Sequence, residues 1–596
     1  MPSSRKKWLL ASLTLALLTA CSTAPLPPAA AVLAPTTATA QAAAAYDAGM
    51  DVFHPVVARH GMVATEQALA SRIGLDILQA GGNAVDAAVA VGFALAVALP
   101  NAGNIGGGGF MLVYDAATGH SVALDFREMA PAAAHRSMYL DDQGQVIDGQ
   151  SLYTHHAVGV PGTVAGMAHA LKKWGTLPLP RVLQPAIELA ETGYPVSETL
   201  AKALEREKTT MGRWDATQAI FWKNGAPLRA GDLLVQKDLA HSLRLIARDG
   251  AQAFYEGDIG QQIAAEMARH GSPMGLHDLR NYRVVEREPV RGSYRGYQIV
   301  TMPPPSSGGV HLVQILNIME RWPLRDWGNN SAQTIHHMAE AMKLAYADRA
   351  EYLGDPAFVT IPLAGLTAKK YADALARHIH PDQARSARDI QPGKPQPYES
   401  DQTTHYSVVD QAGNMVAVTY TLNTNFGTGI VAPGTGILLN NEMDDFSAKP
   451  GVPNAYGLIG GDANAVAAGK RPLSSMTPTF VLQEDGKPWL VTGSPGGARI
   501  ITTVLQQIVN GIDFGMNPAE AAATPRFHHQ WMPDELRVEK GFSPDTLNLL
   551  RRKGQNVAVK PAMGRTQTIQ IQRQGQGQEL WGYSDPRNPD GRTLGY

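Results

Sequence analysis

One junction constrains this chain more than any other stretch. Arg385 to Glu399 is polar, proline-bearing and without a hydrophobic period, whereas from Thr403 the residues Thr404-His405-Tyr406-Ser407-Val408-Val409 read as a strand. The turn Asp410-Gln411-Ala412-Gly413-Asn414 then sends the chain back through Met415 to Asn423, completing a hairpin rich in β-branched and aromatic residues. Thr403 therefore stands where a loose segment meets the mouth of a rigid element. A threonine hydroxyl is a weak nucleophile without a base, and cutting the chain just before it turns its own freed α-amine into that base. Taken alone, the stretch is more simply a Thr-Thr pair that begins a strand. The rest of the chain decides between the two.

With 596 residues there is room for one large folded unit or a few domains around an ample core. Hydrophobic residues at 44% and charged residues at 17% are an ordinary globular balance, and a net charge of −2 makes no electrostatic case for a nucleic-acid partner. The single cysteine excludes an intramolecular disulfide and a cysteine-based metal cluster. That residue, Cys21, closes a recognisable segment of basic Arg5-Lys6-Lys7, apolar Trp8 to Leu18, and Leu18-Thr19-Ala20-Cys21. The apolar run is shorter than the ~20 residues a membrane span needs, so residues 1–21 read as an export signal. Leu-Thr-Ala-Cys is similar to the bacterial lipobox, in which the cysteine is lipidated and becomes the mature N-terminus. The alternative is a plain signal peptide cut near Ala38 to Ala43. Residues 22–45, nearly all Ala, Pro, Thr and Ser, read as a disordered tether. The expected location is the periplasm, with membrane attachment through Cys21.

From Gly61 the pattern becomes that of a folded protein. Thr65 is placed to cap a helix with apolar Leu69, Ile73, Ile77 and Leu78, ended by Gly81-Gly82. Asn83 caps a second helix, Ala84 to Leu99, apolar nearly all round and stopped by Pro100. That predicts a buried central helix. The run Asn104-Ile105-Gly106-Gly107-Gly108-Gly109 precedes a strand, Phe110 to Tyr114, where a phosphate loop would precede a helix. Its glycines read as letting backbone pass close to a ligand or another segment. The strand Ser121 to Phe126 delivers Arg127, which reads either as a surface charge or as a clamp for a carboxylate.

Further on, Val182 to Ile246 is mainly helical. Arg295 to Met302 is a strand that runs into Pro303-Pro304-Pro305-Ser306-Ser307-Gly308-Gly309 and a helix from Val310 to Glu320. A long helix spans Ala332 to Leu353. Its His336, His337 and Glu340 lack a third ligand at useful spacing and read as helix-surface side chains, and His155-His156 and His528-His529 are equally unsupported as ligands. The acidic run within Leu438 to Phe446 reads as a solvated turn or as a holder for an ammonium group. Pro450 to Gly461, around Tyr456, suits a mobile loop. Gly493-Ser494-Pro495-Gly496-Gly497 opens a helix from Ala498 to Asn510. Two glycine amides at a helix start suit developing negative charge, although the run also fits a tight turn.

Six of these pieces recur together in one family. Gly81-Gly82-Asn83-Ala84-Val85-Asp86-Ala87-Ala88, Asp125-Phe126-Arg127-Glu128, Pro304-Pro305-Ser306-Ser307-Gly308-Gly309, Thr403-Thr404-His405-Tyr406-Ser407, Pro472-Leu473-Ser474-Ser475-Met476 and Gly493-Ser494-Pro495-Gly496-Gly497 stand in family order. The chain from about Gly61 to Tyr596 thus resembles the γ-glutamyltranspeptidases, bacterial type, within the N-terminal nucleophile hydrolases. The resemblance implies an α+β fold, a four-layer αββα sandwich. It also implies a precursor that cuts itself between Gln402 and Thr403 into a large subunit, 46–402, and a small catalytic subunit, 403–596, which stay together as a heterodimer.

Carried over residue by residue, the resemblance makes Thr403 the nucleophile and its amine the general base, with Thr421 orienting it. The amides of Gly496 and Gly497 would form the oxyanion hole. Arg127, Ser474 and Ser475 would hold the α-carboxylate of a γ-glutamyl group, and Asn423, Glu442 and Asp445 its α-ammonium. Family members differ between Gln and Glu at the position of Glu442. Tyr456 would sit on a lid. The implied substrates are glutathione and other γ-glutamyl compounds, with water or amino acid and peptide acceptors, and no metal or organic cofactor is expected. Residue chemistry agrees, because a zwitterionic head needs a cation for its carboxylate and anions for its ammonium. Two rivals differ in substrate or class: an acylase of the same family type that removes a glutaryl side chain, and a non-catalytic surface or binding protein that remains an unbroken chain.

Overall fold

The computed structural model describes residues 46–390, 403–449, 451–452, 454, 457–458, 460–574 and 577–596. The export signal, the tether, Gln402 and Tyr456 lie outside them. Among the described residues no helix is long and apolar enough to cross a membrane.

Fourteen strands build two antiparallel sheets. In chain order they are β1 (Val56–Ala58), β2 (Met62–Thr65), β3 (Gly108–Asp115), β4 (His120–Phe126), β5 (Val285–Arg287), β6 (Val290–Tyr294), β7 (Tyr297–Thr301), β8 (Thr404–Val409), β9 (Met415–Thr421), β10 (Thr479–Leu482), β11 (Pro488–Thr492), β12 (Gln567–Gln574), β13 (Gly577–Ser584) and β14 (Arg592–Gly595). One sheet runs β14-β2-β8-β9-β3-β4-β5 and the other β1-β13-β12-β11-β10-β7-β6. The predicted hairpin is β8–β9, with Val409 opposite Met415 and Thr404 opposite Tyr420.

Alternation along these strands explains the layering. On β3, Met111 and Val113 face one core while Phe110, Leu112 and Tyr114 face another; β9 does the same with Val416 and Val418 against Met415 and Ala417. The first core packs helices α1 (Ala68–Gln79), α2 (Ala84–Ala98), α3 (Thr163–Trp174), α4 (Leu179–Thr192) and α5 (Lys237–Asp249) against the first sheet. The second core fills the space between the sheets and continues under α6 (Gly308–Met319), α7 (Ala332–Tyr352) and α8 (Ile500–Ile512). This is the αββα order, and each sheet mixes strands from both sides of Thr403.

Local signals act as expected at α2, where all fifteen residues are buried. Its capping box joins the side chain of Asn83 to the amide of Asp86 and the side chain of Asp86 to the amide of Asn83, a device that typically stabilises a helix by about 1 kcal/mol. At α1 the cap is Gln67 rather than Thr65, because β2 extends to Thr65 and commits its hydroxyl to the carbonyl of Gln67. His336 and His337 are buried rather than on a helix surface. α7 lies beneath other elements on nearly every side, so these imidazoles pack against Gln555 and two tryptophans, Trp322 and Trp327.

The glycine run serves close backbone approach. A side chain at Gly106 would strike the carbonyl of Leu438, one at Gly107 that of Thr421, and one at Gly109 that of Thr419. Gly107→Ala should therefore displace the end of β9, lower the melting temperature and slow precursor cleavage. Gly365→Ala, in open space at ordinary φ, should change neither. Thermal melts and denaturing gels of the two variants make the comparison, and a normal Gly107→Ala protein would show that β9 tolerates the shift.

Candidate active site

β8 is an interior strand, paired with β2 on one side and β9 on the other, and Thr403 precedes its first residue. Continuing the register by one step sets Thr403 opposite Thr421. Both threonines line one pocket with Arg127, Glu442, Asp445, Ser474, Ser475 and Gly497. The same pocket takes Arg349, Leu458, Met476 and Ile500, to none of which the sequence assigned a role. Thr403 is 3% exposed. Its neighbour His405 is no base for it, because both imidazole nitrogens engage hydroxyls, Thr419 at 2.8 Å and Ser407 at 3.1 Å. Burial holds that ring neutral, with its pKa near 3. On the other side the amide of Asn423 donates to the hydroxyl of Thr421 at 2.8 Å.

Gly496 and Gly497 both adopt positive φ, 133° and 55°, immediately before Gly497–Arg499 and α8. Only glycine takes such a pair of conformations readily. Neither amide donates to another described residue. Such a turn is suited to an oxyanion that forms only during reaction.

The charged floor of the pocket is the point where geometry departs from the expectation of two separate halves. Arg127 is fully buried, and its guanidinium pairs directly with Asp445 (2.5 Å) and Glu442, with Glu128 at 3.7 Å. It also donates to the carbonyls of Pro472 and Leu473. Burial works against its charge, but the carboxylates of Glu442, Asp445 and Glu128 more than offset that and hold its pKa above the ordinary value. The acidic run is thus neither a solvated turn nor a site remote from the arginine. Glu442–Asp445 forms a 3-10 turn with Glu442 buried against the guanidinium. An isolated buried ion costs several kcal/mol, so this run and Arg127 require one another.

The serine pair is held from behind. Ser307 donates to the carbonyl of Ser474 through both its amide and its hydroxyl, and Ser306 pairs with Ser474 as a bridge. Arg349 on α7 donates from Nε to the Ser307 hydroxyl (2.9 Å) and from Nη2 to the Ser475 hydroxyl (3.2 Å). The motif around Pro304 to Gly309 therefore supports the pocket without lining it.

The model of the family described as gamma-glutamyltranspeptidase matches residues 70–594. The chain belongs to the γ-glutamyltranspeptidase family. It is 60% identical over 552 residues to the glutathione hydrolase proenzyme of Escherichia coli K12, covering 92% of this chain and 94% of that one. A second glutathione hydrolase proenzyme, from Pseudomonas sp. strain A14, is 48% identical over 91% of this chain and 95% of its own length. Among solved structures, the cephalosporin acylase of Bacillus halodurans superposes with a TM-score of 0.80 at 32% identity, covering 92% of this chain and 97% of that one. The fold is that of these N-terminal nucleophile hydrolases.

Within this family site, three expected residues sit differently from the rest, and Gly496 directly precedes the lining residue Gly497 without itself belonging to the lining. Asn423 is buried behind Thr421, with its side-chain amide on the carbonyl of Asn441 (2.9 Å), so it shapes the pocket from outside its lining. Tyr456 lies outside the described residues. Elsewhere His155, Glu266 and His270 have metal-like spacing, but Glu266 is already paired with Arg269 and both imidazoles, whose rings stack at 4.0 Å. Arg349 and Glu128 were the missed residues. A signal existed for Glu128, which directly follows Arg127; Arg349 lies in the last turn of a long helix, where a basic residue is unremarkable.

Burial pushes the Glu128 carboxyl up to about 7, against the pull of Arg127, and drives that of Glu442 well above its usual range. A carboxyl that binds its proton more tightly when folded favours the fold at low pH, and that contribution is lost as pH rises from about 4.5 to about 7. Glu128→Gln should abolish this fall while keeping the shape. Its melting temperature relative to wild type should rise between pH 4.5 and 7 and level off above. A constant difference across pH would place the proton elsewhere in the cluster.

Proposed function

We infer that this chain is a self-cleaving γ-glutamyltransferase and glutathione hydrolase. The observation that carries the reading is the meeting of Thr403 with a buried guanidinium and two carboxylates in one pocket. In the precursor the Thr403 hydroxyl attacks the carbonyl of Gln402, the peptide becomes an ester, and water releases residues 46–402 from 403–596. The two pieces remain one body, since both contribute strands to both sheets. The new α-amine of Thr403 then accepts the proton of its own hydroxyl as that oxygen attacks the γ-carbonyl of glutathione. The amides of Gly496 and Gly497 stabilise the oxyanion, and the protonated amine returns its proton to the departing cysteinylglycine. Water or the amine of an acceptor resolves the γ-glutamyl ester on Thr403. No step calls for a metal or an organic cofactor.

The zwitterionic head gives the charged residues their roles. Arg127, Ser474 and Ser475 bind the α-carboxylate, while Glu442 and Asp445 bind the α-ammonium, with Asn423 supporting that side and Tyr456 on a lid. Asp445 is the most accessible carboxylate of the cluster, at 11% side-chain exposure, and so the one an entering ammonium meets. A glutaryl substrate has no ammonium and would leave this acidic excess unused, which disfavours the acylase reading. Residues 1–21 export the chain to the periplasm, and lipid on Cys21 holds it to the membrane.

Thr403→Ala should yield one full-length chain without activity, whereas the wild type gives two fragments, the smaller beginning at Thr403. The wild type should release glutamate and cysteinylglycine from glutathione, and form γ-glutamyl dipeptide when an acceptor is added. Denaturing gels, N-terminal sequencing and product analysis test this, and any other N-terminus would remove Thr403 as the nucleophile. For the anchor, fractionation and mass spectrometry should find a lipidated Cys21 in the membrane fraction and soluble protein in Cys21→Ser. An unmodified start near Ala40 in the wild type would end that idea.

A further inference from the structure

The pocket holds two guanidinium groups, and their surroundings differ. Arg127 has three carboxylates within 4.0 Å. Arg349, 4% exposed and also lining the pocket, has none among the described residues. Its polar side-chain contacts are the hydroxyls of Ser307 and Ser475. Its Nη1 donates to no described residue. Burial pulls its pKa down to about 10, so it stays charged at neutral pH. The positive charge not already neutralised therefore sits at Arg349, directly behind the serine assigned to the substrate carboxylate.

An anion entering this site meets different conditions at the two arginines. At Arg127 it must compete with Glu442 and Asp445, and it gains only what those carboxylates leave. At Arg349 it replaces no ion pair, and it relieves the cost of a buried cation that has only hydroxyl partners. Ser475 lies between, accepting from Nη2 at 3.2 Å and keeping its own proton for an acceptor in the pocket. We propose that Arg349 is a specificity-determining residue of this pocket, whose guanidinium, directly and through Ser475, balances the α-carboxylate of the γ-glutamyl group. This rests on the γ-glutamyl reading above. Arg127 keeps the carboxylate contact assigned to it above while also holding Glu442 and Asp445 in place for the ammonium, and Arg349 adds the positive charge that those carboxylates draw from Arg127.

Three chromogenic anilides separate the parts of that head: γ-glutamyl, 4-aminobutanoyl, which lacks the α-carboxylate, and glutaryl, which lacks the α-ammonium. Steady-state kinetics with Arg349→Met should show kcat/KM falling roughly tenfold or more on γ-glutamyl and glutaryl anilides, mainly through KM. Activity on the 4-aminobutanoyl anilide should stay within about threefold. Arg349→Lys keeps the buried charge and carries the test if the Met variant fails to mature; its smaller loss should fall on the same two substrates. Asp445→Asn should reverse the order, sparing the glutaryl anilide. Equal losses of the Arg349 variants on all three anilides, or none on any, would overturn the proposal by assigning Arg349 to the scaffold alone. A wild type that fails to turn over the γ-glutamyl anilide would instead overturn the underlying reading.

Discussion

The structure depends on an interior strand. β8 is hydrogen-bonded along both edges, to β2 and β9, and its residues are buried on both faces. Its side chains alternate between two cores, so a slip of one residue would move Tyr406 and Val408 out of one core and His405 and Ser407 into it. That penalty locks the register, and the register places Thr403 opposite Thr421. A nucleophile one residue outside a strand of this kind has little positional freedom. Its backbone is nonetheless free to carry a chain end, which an interior β8 residue could not do without breaking the ladder.

Around that fixed point the site balances charges that water cannot reach. Arg127 is tolerable in the interior only because Glu128, Glu442 and Asp445 surround it, and those carboxylates are tolerable only because of Arg127. Burial above all raises the proton affinity of Glu128 and Glu442, and the acidic excess of the cluster adds to it. Arg349 stands apart behind the serine pair. The pocket is thus polarised, acidic toward Asp445 and basic toward Ser475, which matches a head group carrying an ammonium and a carboxylate on one carbon.

Several features were legible from residues alone because their causes are local. The hairpin followed from alternation and a Gly-Asn turn, whereas the pairing of Thr403 with Thr421 came from the family resemblance and its register from the structure. The buried α2 followed from an unbroken apolar run with Asn83 and Asp86 at its start. The meaning of the glycine run was half legible: close approach was expected, but the partners, Leu438 and Thr421, are more than 300 positions away in the chain. His336 and His337 were misplaced because a helix with mixed polarity reads as half-exposed, whereas α7 is covered on nearly all sides and satisfies its polar groups through Gln555, Glu340 and Lys343.

The sequence by itself determined the chemistry available: a threonine behind a cleavable linker, an arginine at a strand end, an acidic run, a serine pair and a glycine turn, in an order that identifies the family. Only the tertiary structure decided which of these groups neutralise one another. Arg127 and Asp445 lie 318 positions apart in the chain, and their pairing arises because β4 and the 3-10 turn at Glu442–Asp445 converge on one pocket. Arg349 enters that pocket from α7, in a helical pattern where nothing local marks it. Propensity and alternation act over a few residues and can be read from a string. The energy of a buried charge depends on every group within a few ångströms, and folding alone settles which groups those are.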